Sequence, residues 1–249
     1  MTICVLMCGG KGSRINAYSK ISEKITEKPL IILNNKPLIE HIVETLRSSK
    51  KGFSIFAAVS SNTKETEVFI KYKYYKIVTI LKTMGNEYSE DFTSIVNLFL
   101  TKSRIREPAI QYPQNNLFLR NQKQIKDYSK IIFLPIDIPL ISARTIERIA
   151  ELKHKTALIS IVIDKNIIIE NNFLPTSYTV NIDKKDYCYT GISVLELAFF
   201  KNQNKSLSGN QIEEEAIILN DPELAYNINT IEDLKRTEEF FLKNKNRNN

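Results

Sequence analysis

Short apolar runs recur along this 249-residue chain and alternate with stretches in which apolar residues follow a helical spacing. The runs predict buried strands at residues 3–6, 54–59, 77–81, 131–134 and 156–163. Leu38, Ile42 and Leu46 fall on one face of a helix that starts at Pro37. The same spacing predicts helices over residues 89–100, 142–152 and 231–242. The alternation predicts βαβ units and an α/β fold whose central, mostly parallel sheet lies between two helical layers.

Two stretches interrupt the alternation. Residues 103–130 hold two prolines and clustered amides between basic residues, a composition that predicts an insertion or a lid. Residues 166–186 are a second irregular stretch, before a strand at 188–195, and are candidates to cover a bound substrate. Since no repeat is visible, we expect a single domain over residues 1–249 that ends in a disordered tail near 244–249.

A glycine-rich loop follows the first predicted strand. Three of the seven glycines of the chain fall within it, together with two cations. Glycines allow close approach of the backbone to an oxyanion, so the loop predicts a phosphate cradle for a nucleotide. The spacing matches neither the P-loop of ATPases nor the dinucleotide fingerprint, and a simple turn after an edge strand is the alternative. The segment reads Met7, Cys8, Gly9, Gly10, Lys11, Gly12, Ser13 and Arg14.

Three later residues are candidates for phosphate or metal chemistry. Pro29 is expected to hold Lys28 in an extended conformation, from which the lysine can reach a phosphate. Asp137 follows an apolar strand, where an ionised carboxylate needs a cation or hydrogen bonds, and one carboxylate with substrate phosphates suits Mg²⁺. Asn229 lies between a predicted short strand and the last helix and offers a second oxygen ligand. The alternatives are a surface lysine, a turn aspartate and ordinary helix capping at Thr230.

Composition excludes several function classes. No apolar run is long enough for a membrane span, and no signal peptide is recognised, so a soluble, cytoplasmic protein is expected. Three cysteines without paired spacing argue against a disulfide framework or a zinc site. Two histidines leave little scope for histidine-based catalysis. The net charge of +7 suits an anionic ligand but does not identify one.

With these motifs in this order, the chain resembles the nucleotidyltransferases that build sugar nucleotides and guanylylated cofactors. The resemblance implies a Rossmann-like three-layer α/β/α nucleotidyltransferase fold with a mostly parallel central sheet. Residues 60–66, 85–91 and 226–234 look most similar to the archaeal adenosylcobinamide-phosphate guanylyltransferases. That family implies GTP as donor, adenosylcobinamide phosphate as the corrinoid acceptor and Mg²⁺ as cofactor.

The resemblance also implies roles for individual residues. The loop residues 7–14 are assigned to the phosphates of GTP, with Lys11 and Arg14 as catalytic cations. Lys28 is assigned to charge at the α-phosphate, and Asp137 with Asn229 to Mg²⁺. Further candidates for contacts with guanine, ribose or nearby loops are Asn62, Thr63, Gly85 and Asp91.

Two departures from the family pattern leave the acceptor open. Residues 15–26 form a longer link than the family usually has, and residues 103–130 lengthen the chain. A molybdenum-cofactor guanylyltransferase, a sugar-1-phosphate nucleotidyltransferase, and a nucleotide- or RNA-binding module are the alternatives. No signature of a specific nucleic-acid partner is present, and the oligomeric state, including a homodimer, is left open.

Overall fold

The computed structural model describes residues 2–12, 15, 27–102, 129–153, 155–201 and 212–245. The strands in chain order are β1 Thr2–Met7, β2 Ile32–Leu33, β3 Lys36–Pro37, β4 Ser54–Val59, β5 Val78–Lys82, β6 Lys130–Pro135, β7 Leu158–Asp164, β8 Thr179–Ile182, β9 Lys185–Glu196 and β10 Glu214–Ile218. The α-helices are α1 Leu38–Ser48, α2 Lys64–Lys73, α3 Tyr88–Lys102, α4 Ala143–Glu151, α5 Lys165–Glu170, α6 Ala198–Lys201 and α7 Ile231–Lys245. Short 3₁₀ turns span Lys28–Leu30 and Pro222–Ala225.

Eight of the described strands form one sheet in the order β10-β7-β9-β6-β1-β4-β5, with β8 paired to β9. The pairs β1·β4, β1·β6, β4·β5 and β7·β10 are parallel. Strand β9 pairs antiparallel with β6, β7 and β8. Within the described sheet, β9 alone therefore runs against the common direction, and the sheet is mostly parallel as predicted.

Helices cover both faces of this sheet. Along β1, Cys4 and Leu6 join a core cluster with the apolar faces of α1, α2 and α4, while Ile3 and Val5 join a second cluster with α3. Alternate residues of a strand point to opposite faces, so a fully apolar strand signals a sheet buried on both sides. The predicted Rossmann-like three-layer α/β/α architecture is confirmed.

Other predictions for individual segments need correction. Residues 166–186 are not irregular throughout, because they contain most of α5, all of β8 and the turn into β9. The segment before the last helix contains the 3₁₀ turn Pro222–Ala225 and not a short strand. Helix α7 continues through Lys245, two residues into the predicted tail. The remaining tail and most of the predicted insertion or lid lie outside the described residues.

Among the described residues, no helix combines the length and the apolar composition needed to cross a membrane.

Candidate active site

The candidate active site lies where β1 and β6 end. The two strands are parallel neighbours, and Met7 pairs with Pro135 at their carboxyl ends. The glycine-rich loop after β1 and the turn that carries Asp137 therefore leave the sheet side by side. The backbone N–H of Ile228 donates to the carbonyl of Asp137 at 2.8 Å, which places the next residue, Asn229, at the same edge. Ligands of open α/β sheets collect at this edge.

Lys28, Asp137 and Asn229 meet there. The Lys28 ammonium donates to Asp137 Oδ2 at 2.8 Å and to Asn229 Oδ1 at 3.2 Å. The side chains of Lys28 and Asp137 are only 14% and 18% exposed. A largely buried carboxylate is thus neutralised by a cation, as its position after an apolar strand requires.

The backbone at Lys28 differs from the prediction. Lys28 begins a 3₁₀ turn instead of adopting an extended conformation, and the turn closes with a bond from Leu30 N–H to the Glu27 carbonyl at 2.8 Å. Pro29 is tolerated because no hydrogen bond of this turn needs its missing N–H.

One oxygen of this cluster has no hydrogen-bond partner among the described residues. Asp137 Oδ1 is buried and accepts no hydrogen bond, although buried carboxylate oxygens are normally satisfied. Because Oδ2 accepts from Lys28, Oδ1 is the oxygen of Asp137 that remains as a ligand for a cation. Asn229 Oδ1, which also accepts from Lys28, retains a second lone pair. One carboxylate and one amide oxygen fit Mg²⁺, which completes its shell with water and phosphate. In the described part of the chain no group of three or more His, Cys, Asp or Glu side chains could hold a metal.

The cluster opens into a cavity of about 290 Å³, here called the donor cavity. Two sides of it are formed by the glycine-rich loop and by the turn after β6. Lys28, Asp137 and Asn229 all line it, so the three predicted residues share one space with the predicted phosphate cradle. The described residues that line it are Met7, Cys8, Gly10, Gly12, Ile15, Lys28, Tyr88, Pro135, Ile136, Asp137 and Asn229.

Tyr88 also lines the donor cavity and was not predicted from the sequence. About half of its surface is exposed, but its hydroxyl is desolvated and hydrogen-bonds the side chain of Ser193. Desolvation raises the pKa of the Tyr88 hydroxyl, and the charge of Asp137 adds to this, so the phenol stays protonated at neutral pH. The only local signal was its place in the 85–91 segment that carries the family resemblance.

The glycine-rich loop is held by β4 and the residues after it. Cys8 N–H donates to the Ala58 carbonyl at 3.0 Å, and the Gly9 carbonyl accepts from Ser60 Oγ at 2.7 Å and from Asn62 Nδ2 at 3.3 Å. A Cβ at Gly9 would lie 3.2 Å from Asp91 Oδ2, so no larger residue fits there without movement.

The predicted residues Asn62, Thr63, Gly85 and Asp91 surround this loop instead of lining the donor cavity. Asn62 Nδ2 donates to the Gly85 carbonyl at 2.8 Å, and Gly85 N–H donates to Asp91 Oδ1 at 3.0 Å. Thr63 Oγ1 accepts from Ser60 N–H at 3.0 Å. Gly85 has a φ of +71°, and a Cβ there would come within 2.2 Å of Ser60 Oγ. These residues position the Gly9 backbone, and their contact with the nucleotide stays a prediction.

The remaining loop residues divide into three cases. Lys11 is exposed and does not line the donor cavity, while Ser13 and Arg14 lie outside the described residues. Cys8 is buried. Burial raises the pKa of its thiol, and the charge of Glu27 raises it further, so Cys8 is an unreactive, protonated lining group.

Solved structures with this fold include a 4-diphosphocytidyl-2C-methyl-D-erythritol synthase from Anaerococcus prevotii, with a TM-score of 0.55 and 10% identity over 97% of this chain and 96% of that one. An inositol-1-phosphate CTP transferase from T. maritima gives a TM-score of 0.54 and 11% identity over 95% of each chain. At such identities the likeness establishes the fold alone, which is the nucleotidyltransferase fold.

The model of the MobA-like NTP transferase domain matches residues 4–170, and the chain belongs to this family of nucleotidyltransferases. The match begins in β1 and includes the glycine-rich loop, Lys28 and Asp137.

One curated relative has a more specific activity in its name than the family model does. The adenosylcobinamide-phosphate guanylyltransferase of Methanocaldococcus jannaschii is 37% identical over 97 residues, which are 38% of this chain and 45% of that protein. The alignment therefore spans less than half of the relative's length.

Proposed function

We propose that this protein transfers GMP from GTP to adenosylcobinamide phosphate, giving adenosylcobinamide-GDP and pyrophosphate in the nucleotide-loop stage of cobalamin biosynthesis. The observation that carries the proposal is the Lys28, Asp137 and Asn229 cluster at the donor cavity. The curated relative supports the choice of nucleotide and acceptor.

The chemistry is a displacement at phosphorus. An oxygen of the acceptor phosphate forms a bond to the α-phosphorus of GTP, the bond from that phosphorus to the bridging oxygen breaks, and pyrophosphate leaves with the bonding electrons. The acceptor is already an anion at neutral pH, so no general base is required. This agrees with the described lining of the donor cavity, which contains no histidine.

The residues therefore act by positioning and by charge. Lys28 holds a positive charge beside the α-phosphate, and the glycine-rich loop offers backbone N–H groups to the other phosphates. Asp137 Oδ1 and Asn229 Oδ1 would hold Mg²⁺, which when bound neutralises phosphate charge.

A molybdenum-cofactor guanylyltransferase is the second candidate. The description of the matching family model as MobA-like favours it. It would use the same donor cavity with a different acceptor, so the two candidates are separated by the acceptor and not by the donor residues.

The test is a pyrophosphate-release assay with Mg²⁺ and each nucleoside triphosphate in turn, crossed with adenosylcobinamide phosphate, molybdopterin and several sugar 1-phosphates. We expect release with GTP only when adenosylcobinamide phosphate is present, and a product with the mass of adenosylcobinamide-GDP. Release with another acceptor would move the function to that branch. GTP binding without turnover would favour a nucleotide-binding module, and salt-resistant RNA binding would favour the RNA-binding alternative.

A further inference from the structure

A second cavity of about 190 Å³ adjoins the donor cavity. It lies between the end of β7, the segment from Phe173 to Ser177 and the chain that leads into α7. Asn229 lines both cavities. A molecule in the second cavity is therefore separated from Lys28 and Asp137 by one side chain.

Among the described lining residues, Asn229 is the one that the two cavities share. Its Oδ1 accepts from Lys28, on the side of the donor cavity, and its Nδ2 donates to Asn227 Oδ1 at 2.7 Å. Asn227 lines the second cavity but not the donor cavity. A phosphate that extends past Asn229 from the second cavity would enter the donor cavity, which Lys28 and Asp137 line.

Apart from Asp233, the described lining of the second cavity is apolar or uncharged. The described lining contains no Lys or Arg, and its one acidic side chain, Asp233, accepts from the backbone N–H groups of Asn229 and Thr230 at 3.0 and 2.9 Å. Burial raises the pKa of Tyr189, which stays neutral. This chemistry suits a neutral body with an apolar face and hydrogen-bonding groups. The other lining residues are Ile163, Ile168, Phe173, Leu174, Pro175, Thr176, Ser177, Thr190, Leu224, Ala225 and Asn227.

The apolar surface continues outside the cavity. Leu174, which lines the cavity, is 82% exposed, and Tyr178, four residues further on, is 77% exposed. The Tyr178 carbonyl accepts from Tyr189 N–H at 3.2 Å, which fixes this segment beside the cavity. Leu174 therefore adds exposed apolar surface to the edge of the cavity, and Tyr178 follows on the same segment, so the contact surface can extend to a body larger than 190 Å³.

We propose that the second cavity and this rim bind the acceptor, and that the acceptor is a phosphate monoester with a bulky, uncharged, partly apolar body. The inference rests on the proposed nucleotidyl transfer. It excludes acceptors with a strongly anionic body, because the described lining offers such a body no cation. A corrinoid phosphate, with its amide side chains and large ring, belongs to the class that fits.

The experiment compares Leu174→Glu with Leu242→Glu. Leu242 is 60% exposed, so the two substitutions are chemically the same, but Leu242 lies about 18 Å along the α7 axis from Thr230. The assay measures KM for the acceptor, KM for GTP and kcat with wild type and both variants. Leu174→Met serves as the conservative variant.

We expect Leu174→Glu to raise KM for the acceptor about tenfold or more, equivalent to about 1.4 kcal/mol. KM for GTP and the melting temperature should stay within error of wild type, and Leu242→Glu and Leu174→Met should behave as wild type. If acceptor KM is the same for Leu174→Glu and wild type, the cavity is not the acceptor site.

If the proposed function is wrong, the same experiment gives a result that differs from that of a wrong cavity assignment. Wild type would then not turn over adenosylcobinamide phosphate, and the same comparison would be run with whichever phosphorylated acceptor supports pyrophosphate release. A selective rise of that acceptor's KM in Leu174→Glu would support the cavity assignment. An unchanged KM, or wild-type turnover only with a polyanionic acceptor, would overturn it.

Discussion

At the scale of single residues, the site depends on how Asp137 divides its two oxygens. Oδ2 accepts from Lys28, whereas Oδ1 is buried and has no hydrogen-bond partner in the part of the chain that the structure describes. The carboxylate therefore pairs with an ammonium and still has one oxygen left for the proposed Mg²⁺. Burying a carboxylate oxygen without a hydrogen bond costs free energy, and a cation bound to Oδ1 would offset that cost.

Replacing Lys28 tests the positive charge. Lys28→Met keeps the length of the side chain but removes the ammonium, so we expect the single-turnover rate constant for guanylyl transfer to fall about 10²- to 10³-fold. Rapid-quench measurements check this. Lys36→Met is the matched control, since Lys36 pairs with Glu44 at 2.6 Å and does not line the donor cavity. An unchanged rate constant in Lys28→Met would remove the lysine from the mechanism.

Replacing Asp137 tests the metal assignment. Asp137→Asn keeps the shape of the side chain but removes the charge, so we expect turnover at saturating GTP to need at least tenfold more Mg²⁺, or to be lost. The measurement is a Mg²⁺ titration of turnover, with EDTA-treated protein as the metal-free reference. Asp186→Asn, at an exposed position, should leave the titration unchanged. Full Mg²⁺-dependent turnover by Asp137→Asn would show that the assignment is wrong.

At the scale of elements, Glu27 joins the segment of Lys28 to helix α2. Its carboxylate accepts from Glu65 N–H at 2.8 Å, from Thr66 N–H at 2.7 Å and from Thr66 Oγ1 at 2.6 Å. The first N–H groups of a helix have no partner within the helix, and the helix dipole favours an anion there. Glu27 lies 38 residues before Glu65 in the chain and caps α2. The same hydrogen bonds hold Glu27, and with it the adjacent Lys28, against the start of that helix.

This capping predicts a loss of stability. Glu27→Ala leaves the N–H groups of Glu65 and Thr66 without their acceptor, so we expect the free energy of unfolding to fall by about 1–3 kcal/mol. Urea denaturation monitored by circular dichroism measures it. Glu65→Ala changes an exposed glutamate at the same helix end and should have a smaller effect. Equal losses in the two variants would contradict the capping role.

At the scale of the whole molecule, the reversed strand β9 brings the two halves of the sheet together. It lies between β6 and β7, and its hairpin with β8 is tied back to the end of β7 by an ion pair between Lys185 and Asp164. The hydrogen bond with Lys185 is the main reason that the pKa of Asp164 lies below its usual range. This pair therefore makes the stability of the fold depend on pH.

The sign of that dependence follows from the lowered pKa. Asp164 contributes stability above its unfolded-state pKa of about 3.9, and the contribution is lost as pH falls through the lower folded-state value. We expect Lys185→Met to be less stable than wild type at pH 7 and the difference to shrink as pH approaches 3. Urea midpoints of both proteins between pH 3 and 7 measure it. A difference independent of pH would mean that the pair does not contribute through charge.

The hairpin shows why part of the fold was missed from the sequence. Strand β8 is only four residues long and lies largely exposed at an edge, so it has no continuous apolar run. Its turn places Asp183 and Lys184 at positive φ, a conformation usually signalled by Asn-Gly or Asp-Gly. Neither local signal is present here, and pairing with β9 alone creates the strand.

The sequence by itself determined the central strands, the main helices, the glycine-rich loop and the separate candidates Lys28, Asp137 and Asn229. Apolar periodicity and glycine placement are local properties, so they can be read within one segment. The tertiary structure decided which candidates meet. Lys28 is 109 residues from Asp137 and 201 from Asn229. They are brought together by the parallel pairing of β1 with β6, the contact of Ile228 with Asp137 and the hydrogen bonds of Glu27 to helix α2.

Tyr88 and the second cavity also depend on tertiary structure. Their surroundings come from segments far apart in the chain, and no local pattern records how such segments pack. The glycine-rich loop was predicted from its own residues, whereas the scaffold that holds Gly9 is built from Ser60, Asn62 and the neighbours of Gly85. The chemical character of single residues and short segments can therefore be predicted from the sequence. Which of them lie close together in the site is decided by the folding of the sheet.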